Sequence, residues 1–115
     1  MRIGELSRRT GIAASRIRFY ERHLVLPKAA RGENDYRDYP DSAVKTLKLI
    51  DDAQKLGFSL TEIRYGLSEA APNFPSREAM VMALKCKLEI VDQHLNDVRA
   101  RRREIMRLLE EMSDC

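Results

Sequence analysis

Residues 2–22 read RIGELSRRTGIAASRIRFYER. Ile3 and Leu6 stand three apart on one helical face, so residues 3–9 predict a short helix. Thr10-Gly11 breaks it, because glycine enters the left-handed turn conformation without steric penalty. Residues 14–22 resume helical periodicity, with Ile17 and Tyr20 facing inward and Arg16 and Arg18 facing outward. A helix, a glycine turn and a second helix at this spacing is the helix-turn-helix pattern. The second helix sets arginines beside aromatics, a combination suited to phosphates and base edges.

Outward from this pair, Leu24 to Pro27 predicts an extended piece ending in a rigid turn. Residues 28–39, KAARGENDYRDY, centre on Asn34-Asp35, two residues that tolerate positive φ better than most. Two short strands carrying Arg31, Tyr36, Arg37 and Tyr39 would make a β-hairpin wing; the alternative reading of this stretch is an irregular polar loop. Asp41 is placed to cap a helix over residues 42–55, with Val44, Leu47, Leu49 and Ile50 as its core face. Gly57 ends that helix. Ser59-Leu60-Thr61-Glu62 has capping-box spacing and opens another helix to about Ser68. Ala71-Pro72-Asn73-Phe74-Pro75 reads as a linker.

From Ser76 to Met112 there is neither proline nor glycine. With Val81 at heptad position a, Val81, Leu88, Leu95, Arg102 and Leu109 fall at a, and Leu84, Val91, Val98, Ile105 and Met112 at d. Nine of these ten are apolar, as a coiled-coil seam requires. At about 1.5 Å per residue the helix extends roughly 55 Å. A stripe of that length needs a partner helix, and a second copy of the chain is the simplest source. Arg102 breaks the seam and can set its register. Arg99, Arg101 and Arg103 read as a solvated face with Glu104 and Asp97 as neighbours. The domain plan is therefore a DNA-binding unit at 1–70, a linker at 71–75, a dimerisation helix at 76–112 and a short tail at 113–115.

Charge distribution supports a polyanionic partner. Residues 1–40 contain nine Lys/Arg against five Asp/Glu, whereas residues 71–115 contain eight of each. No apolar run approaches the roughly 18 residues of a membrane span. The start shows no secretory h-region. Two cysteines among 115 residues make no disulfide framework and suit a reducing cytoplasm. No nucleophile triad, glycine-rich phosphate loop or paired carboxylates are present, so no enzyme activity is expected. Cys86, Cys115 and His94 are the tempting metal ligands, but a thiolate site needs convergent donors. Cys86 falls at position f, away from the seam. No metal and no cofactor are therefore expected.

These pieces together resemble the MerR family of bacterial transcription regulators over nearly the whole chain. The resemblance is carried by RIGELSRRTGI, IRFYER, Leu26-Pro27, ENDYRDY and KLGFSLTEI, in that order. It implies a mostly α fold: a winged helix-turn-helix with a small β-hairpin wing, a second helix-turn-helix, and a long C-terminal helix forming an antiparallel coiled-coil dimer. It also implies a homodimer on a palindromic double-stranded promoter, distorting the DNA so that RNA polymerase engages. The implied DNA-binding set is Ser15, Arg16, Arg18, Tyr20, Arg31, Asn34, Tyr36 and Arg37. Of these, Arg18, Tyr20, Tyr36 and Arg37 would anchor phosphates, and Ser15 and Arg16 would meet base edges.

The sequence departs from the family pattern in four places. Ala13 stands where a capping Ser or Asp is common, and Ser15-Arg16 replaces a basic-then-Thr pair. Leu24 and Asp35 stand where glycines are usual. Because the chain closes with the long helix, an effector is expected at the dimer interface or near the helix ends. The alternatives are a metal-responsive member using Cys115, or an architectural, excisionase-like DNA-binding protein.

Overall fold

The computed structural model describes residues 1–32 and 36–113. Seven elements follow one another: α1 (Ile3–Thr10), α2 (Ala14–Arg22), β1 (Ala30–Arg31), β2 (Arg37–Asp38), α3 (Ser42–Lys55), α4 (Leu60–Ala70) and α5 (Arg77–Ser113). They fall into two compact units, Met1–Pro75 and the remainder from Ser76. No helix among the described residues is long and apolar enough to cross a membrane.

The first unit has a single core. Leu6 of α1, Ile17 and Tyr20 of α2, Leu47 and Ile50 of α3 and Ile63 of α4 are buried together with Ile12, Val25, Leu26, Tyr39 and Ala43. Gly11 ends α1 at φ 73°, donating its N–H to the Ser7 carbonyl at 2.8 Å. Ala13 provides no side-chain cap for α2. The turn is laced instead: the Ile12 N–H donates to Thr10 Oγ1 at 3.2 Å, and Ser7 Oγ donates to the Ile12 carbonyl at 2.7 Å. These bonds fix the angle between α1 and α2 without a capping residue.

β1 and β2 pair antiparallel, Ala30 opposite Asp38 and Arg31 opposite Arg37, and the Gly32 N–H reaches the Tyr36 carbonyl at 2.8 Å. The wing is therefore present. Asn34 and Asp35, expected at its tip, lie outside the described residues.

Three local expectations are corrected. Residues 24–27 are not extended. They bend back so that the N–H groups of Val25 and Leu26 both reach the Tyr20 carbonyl, at 3.0 and 3.2 Å, with Leu24 at φ +58°. Burial of Val25 and Leu26 against the core outweighs their β-propensity. Asp41 does not cap α3: its backbone is already helical and its carboxylate lies 3.5 Å from Arg9. The helix starts instead through turn bonds from the Ala43 and Val44 N–H groups to the Pro40 and Asp41 carbonyls. In α3 the buried positions are Ala43, Leu47 and Ile50; Val44 is half-buried but packs against the core as expected, whereas Leu49, also half-buried, lies off the core face. Helical phase places Ala43 four before Leu47 and seven before Ile50, whereas Leu49, two after Leu47, falls about 200° around the helix from it.

Gly57 ends the α3 turn at φ 95°. The capping box of α4 is complete: Ser59 Oγ accepts from the Glu62 N–H at 3.1 Å, and Glu62 Oε1 accepts from the Ser59 N–H at 3.1 Å.

The second unit is one helix of 37 residues with no buried position. Ser76 caps it, accepting the Ala79 N–H at 3.1 Å, so α5 starts one residue later than expected. The seam residues are all exposed, from 37% at Val81 to 72% at Met112, and Ile90, Met106 and Leu108 add exposed apolar surface beside them. Glu104 and Asp97 do not serve the arginines at 99–103. Glu104 pairs with Arg107 at 2.7 Å, Arg107 also reaches Glu111 at 2.9 Å, and Asp97 accepts from Gln93 at 3.0 Å.

Candidate nucleic-acid interface

A cleft of about 780 Å³ opens between the start of α1, one flank of α2 and the wing. Among the described residues, Arg2, Arg8, Arg18, Arg31 and Arg37 line it, with Tyr36 and Glu5. Five guanidiniums gathered on one concave surface, one of them (Arg37) 3.7 Å from Glu21, make a cationic surface of the kind that suits phosphates. Arg2 lies over the Tyr36 ring, 4.5 Å from its centroid, which orients both side chains toward the same opening.

The structure thus brings Arg18, Arg31, Tyr36 and Arg37 of the expected set together. Asn34 lies outside the described residues. Arg2 and Arg8 complete the cleft and were missed. Their signal was the phase of α1: positions 2, 5 and 8 share one face, and the basic residues there read only as bulk charge.

Tyr20 stands differently. It is fully buried, and its hydroxyl lies 3.0 Å from Asp51 and 3.0 Å from Gln54 on α3. The expectation of a phosphate anchor meets a side chain committed to the core. Burial, more than its polar neighbours, pushes its hydroxyl pKa up. The helical turn had already marked Tyr20 as inward, and that reading prevails. Ser15 is exposed on the opposite face. Arg16 is half-exposed but folds toward α3, with Nη2 donating to Gln54 Oε1 at 2.7 Å and Nε to the Tyr20 hydroxyl at 3.2 Å.

The wing and α2 meet at one buried carboxylate. Glu21 is 3% exposed; the Tyr39 hydroxyl donates to its Oε1, and Arg37 Nη1 lies 3.7 Å away. Burial first, and donation to Glu21 second, push the Tyr39 hydroxyl up to about 12. The Tyr39 N–H also reaches the Met1 carbonyl at 2.7 Å, closing the wing against the start of the chain. In the sequence Glu21 entered only as one of the five Asp/Glu of residues 1–40, which gave no sign of this junction.

Among the described residues no three His, Cys, Asp or Glu side chains converge on a common point. Cys86 is an exposed free thiol, and Cys115 lies outside the described residues.

Comparison with known proteins agrees with this geometry. A family model described as MerR HTH family regulatory protein matches residues 1–69, and one described as MerR, DNA binding matches residues 44–115. The HTH-type transcriptional regulator CueR of Yersinia pestis is 32% identical over 96% of this chain and 80% of its own length. The mercuric resistance operon regulatory protein of Bacillus cereus is 33% identical over 95% of this chain and 83% of its own. In three dimensions, the N-terminal part of MtaN, the Bacillus subtilis multidrug transporter activator, superposes with a TM-score of 0.77. That match covers 95% of this chain and 97% of the other at 26% identity. The helix-turn-helix, the arginine-lined cleft and both family models lead to one conclusion: the chain belongs to the MerR family of DNA-binding transcription regulators.

Proposed function

We propose that the protein is a homodimeric regulator that binds a palindromic promoter operator and distorts it to control RNA polymerase. The observation that carries the reading is the five-arginine cleft beside α2. It gives the backbone a cationic seat while α2 enters the major groove, the geometry of helix-turn-helix recognition. In this reading Arg18, Arg31, Tyr36 and Arg37, joined by Arg2 and Arg8, engage phosphates and fix the register. Ser15 and Arg16 meet base edges, and Tyr20 acts from the core by orienting Arg16.

Dimerisation is supported by the exposed seam Val81, Leu84, Leu88, Val91, Leu95, Val98, Ile105, Leu109 and Met112. A second α5 would cover it, with Arg102 setting the register, and would hold two heads at the spacing of two half-sites. Promoter distortion is supported by family membership. Its energy would be read as DNA deformability as much as base contacts.

Titrating the purified protein onto a palindromic duplex at several salt concentrations tests the reading. Arg18→Ala and Arg37→Ala are each expected to weaken binding to every sequence and to make the salt slope shallower by about 1. Unchanged affinity and slope in both variants would remove the cleft from the interface.

A further inference from the structure

Arg16 and Arg18 lie two residues apart on α2, about 200° around the helix, so the two guanidiniums serve opposite flanks. Arg18 lines the arginine cleft beside the wing. Arg16 lies against α3. Its Nε donates to the Tyr20 hydroxyl at 3.2 Å and its Nη2 to Gln54 Oε1 at 2.7 Å, while Asp51 Oδ1 stands 3.8 Å from Nε. Tyr20 is itself fixed, its hydroxyl 3.0 Å from both Asp51 and Gln54. Asp51 is further pinned by Lys55 at 3.2 Å. The guanidinium also lies 5.5 Å from the Tyr20 ring centroid and 6.0 Å from that of Phe19.

The chemistry of the fork decides what this arrangement does. Nε and the adjacent N–H of Nη2 form the side edge of a guanidinium, and that edge is occupied by Tyr20 and Gln54. Nη1 and the second N–H of Nη2 form the other edge, which is able to bridge O6 and N7 of a guanine. An unrestrained arginine would have to be ordered at the moment of binding, and restraint beforehand removes that entropy. We propose that Gln54, with Tyr20 behind it, is a specificity-determining residue outside the recognition helix: it presents the end edge of Arg16 for bidentate reading of one G·C pair. The proposal rests on Arg16 reading a base. Gln54 is a positioning residue in it, touching no DNA.

The test is selection of bound duplexes from a randomised palindromic library by the full-length protein, followed by titration at two salt concentrations. Wild type, Arg16→Ala, Gln54→Ala and Gln54→Glu are compared. Arg16→Ala and Gln54→Ala are expected to relax preference at the same base pair by about tenfold. The double variant Arg16→Ala/Gln54→Ala should relax it no further, and Gln54→Glu, which keeps an acceptor at the same reach, should retain it. Affinity for unrelated DNA and the salt slope should stay unchanged in Gln54→Ala, an effect that general loosening of the head would not give. Thermal unfolding of each variant verifies that the head is folded. If Arg16→Ala relaxes the preference while folded Gln54→Ala leaves or sharpens it, the positioning role is overturned and base reading by Arg16 survives. If Arg16→Ala leaves every position unchanged, base reading by Arg16 fails, and the positioning role falls with it.

Discussion

Leu24 sits at φ +58° and is 63% exposed, so it bears left-handed strain without burial in return. An L-residue in that region is roughly 1–2 kcal/mol less favourable than glycine. Leu24→Gly is therefore expected to raise unfolding free energy by about 1 kcal/mol, after the added freedom of the unfolded chain is subtracted. A urea titration following helicity reads this directly, and a destabilised variant would contradict it. Tyr39 gives a second expectation at this scale. Burial pushes its folded hydroxyl up to about 12 from the ordinary 10.0. The unfolded chain loses that proton first, so the contribution is intact below pH 10 and declines as pH rises from there to about 12. Tyr39→Phe should flatten this alkaline decline, measured as stability against pH. It should also destabilise the head at neutral pH by about 1–3 kcal/mol, because Glu21 then stays buried without its phenolic donor.

At the scale of elements, two helix starts that look alike in sequence separate in the structure. Ser59 accepts the Glu62 N–H and has the reciprocal bond, whereas Asp41 makes no cap bond. Ser59→Ala is expected to cost about 1 kcal/mol and Asp41→Ala to stay within about 0.5 kcal/mol. Thermal or urea unfolding of the pair decides it; equal losses would place a cap at Asp41 after all. The contrast also indicates what was legible in advance. Helices α1 to α5, the wing and the capping box follow from apolar period and turn residues, because those signals are local. Asp41 was misjudged because the turn led by Pro40 already holds its backbone helical, and its carboxylate lies against Arg9, 32 residues away in the chain. In the site, Arg18, Arg31, Tyr36 and Arg37 were legible as exposed cations and an aromatic. Glu21, Gln54 and the commitment of Tyr20 to α3 were not, since their partners are 18, 38 and 31 residues away in the chain.

At the scale of the whole molecule, the first unit buries its own core and α5 buries nothing. In the proposed dimer the seam therefore acts on spacing between heads more than on the fold of each head. Each aliphatic side chain that becomes buried contributes roughly 1.5–3 kcal/mol. Leu88→Ala/Leu95→Ala is accordingly expected to dissociate the dimer at micromolar concentration and reduce palindrome binding to the level of a half-site. Cys86→Ala, at position f, should do neither. Sedimentation equilibrium distinguishes them, and a double variant that stays dimeric would place the seam on another face. The carboxylate of Glu21, shared by the root of the wing and the last turn of α2, has a geometric corollary. In the proposed complex it would make each head behave like a calliper locked at one opening, with one jaw on α2 and the other on the hairpin. Such a tool would gauge a groove's width before it recognises any letter in it, so base pairs beneath neither jaw would still bear on the fit, through the distance they set between the strands.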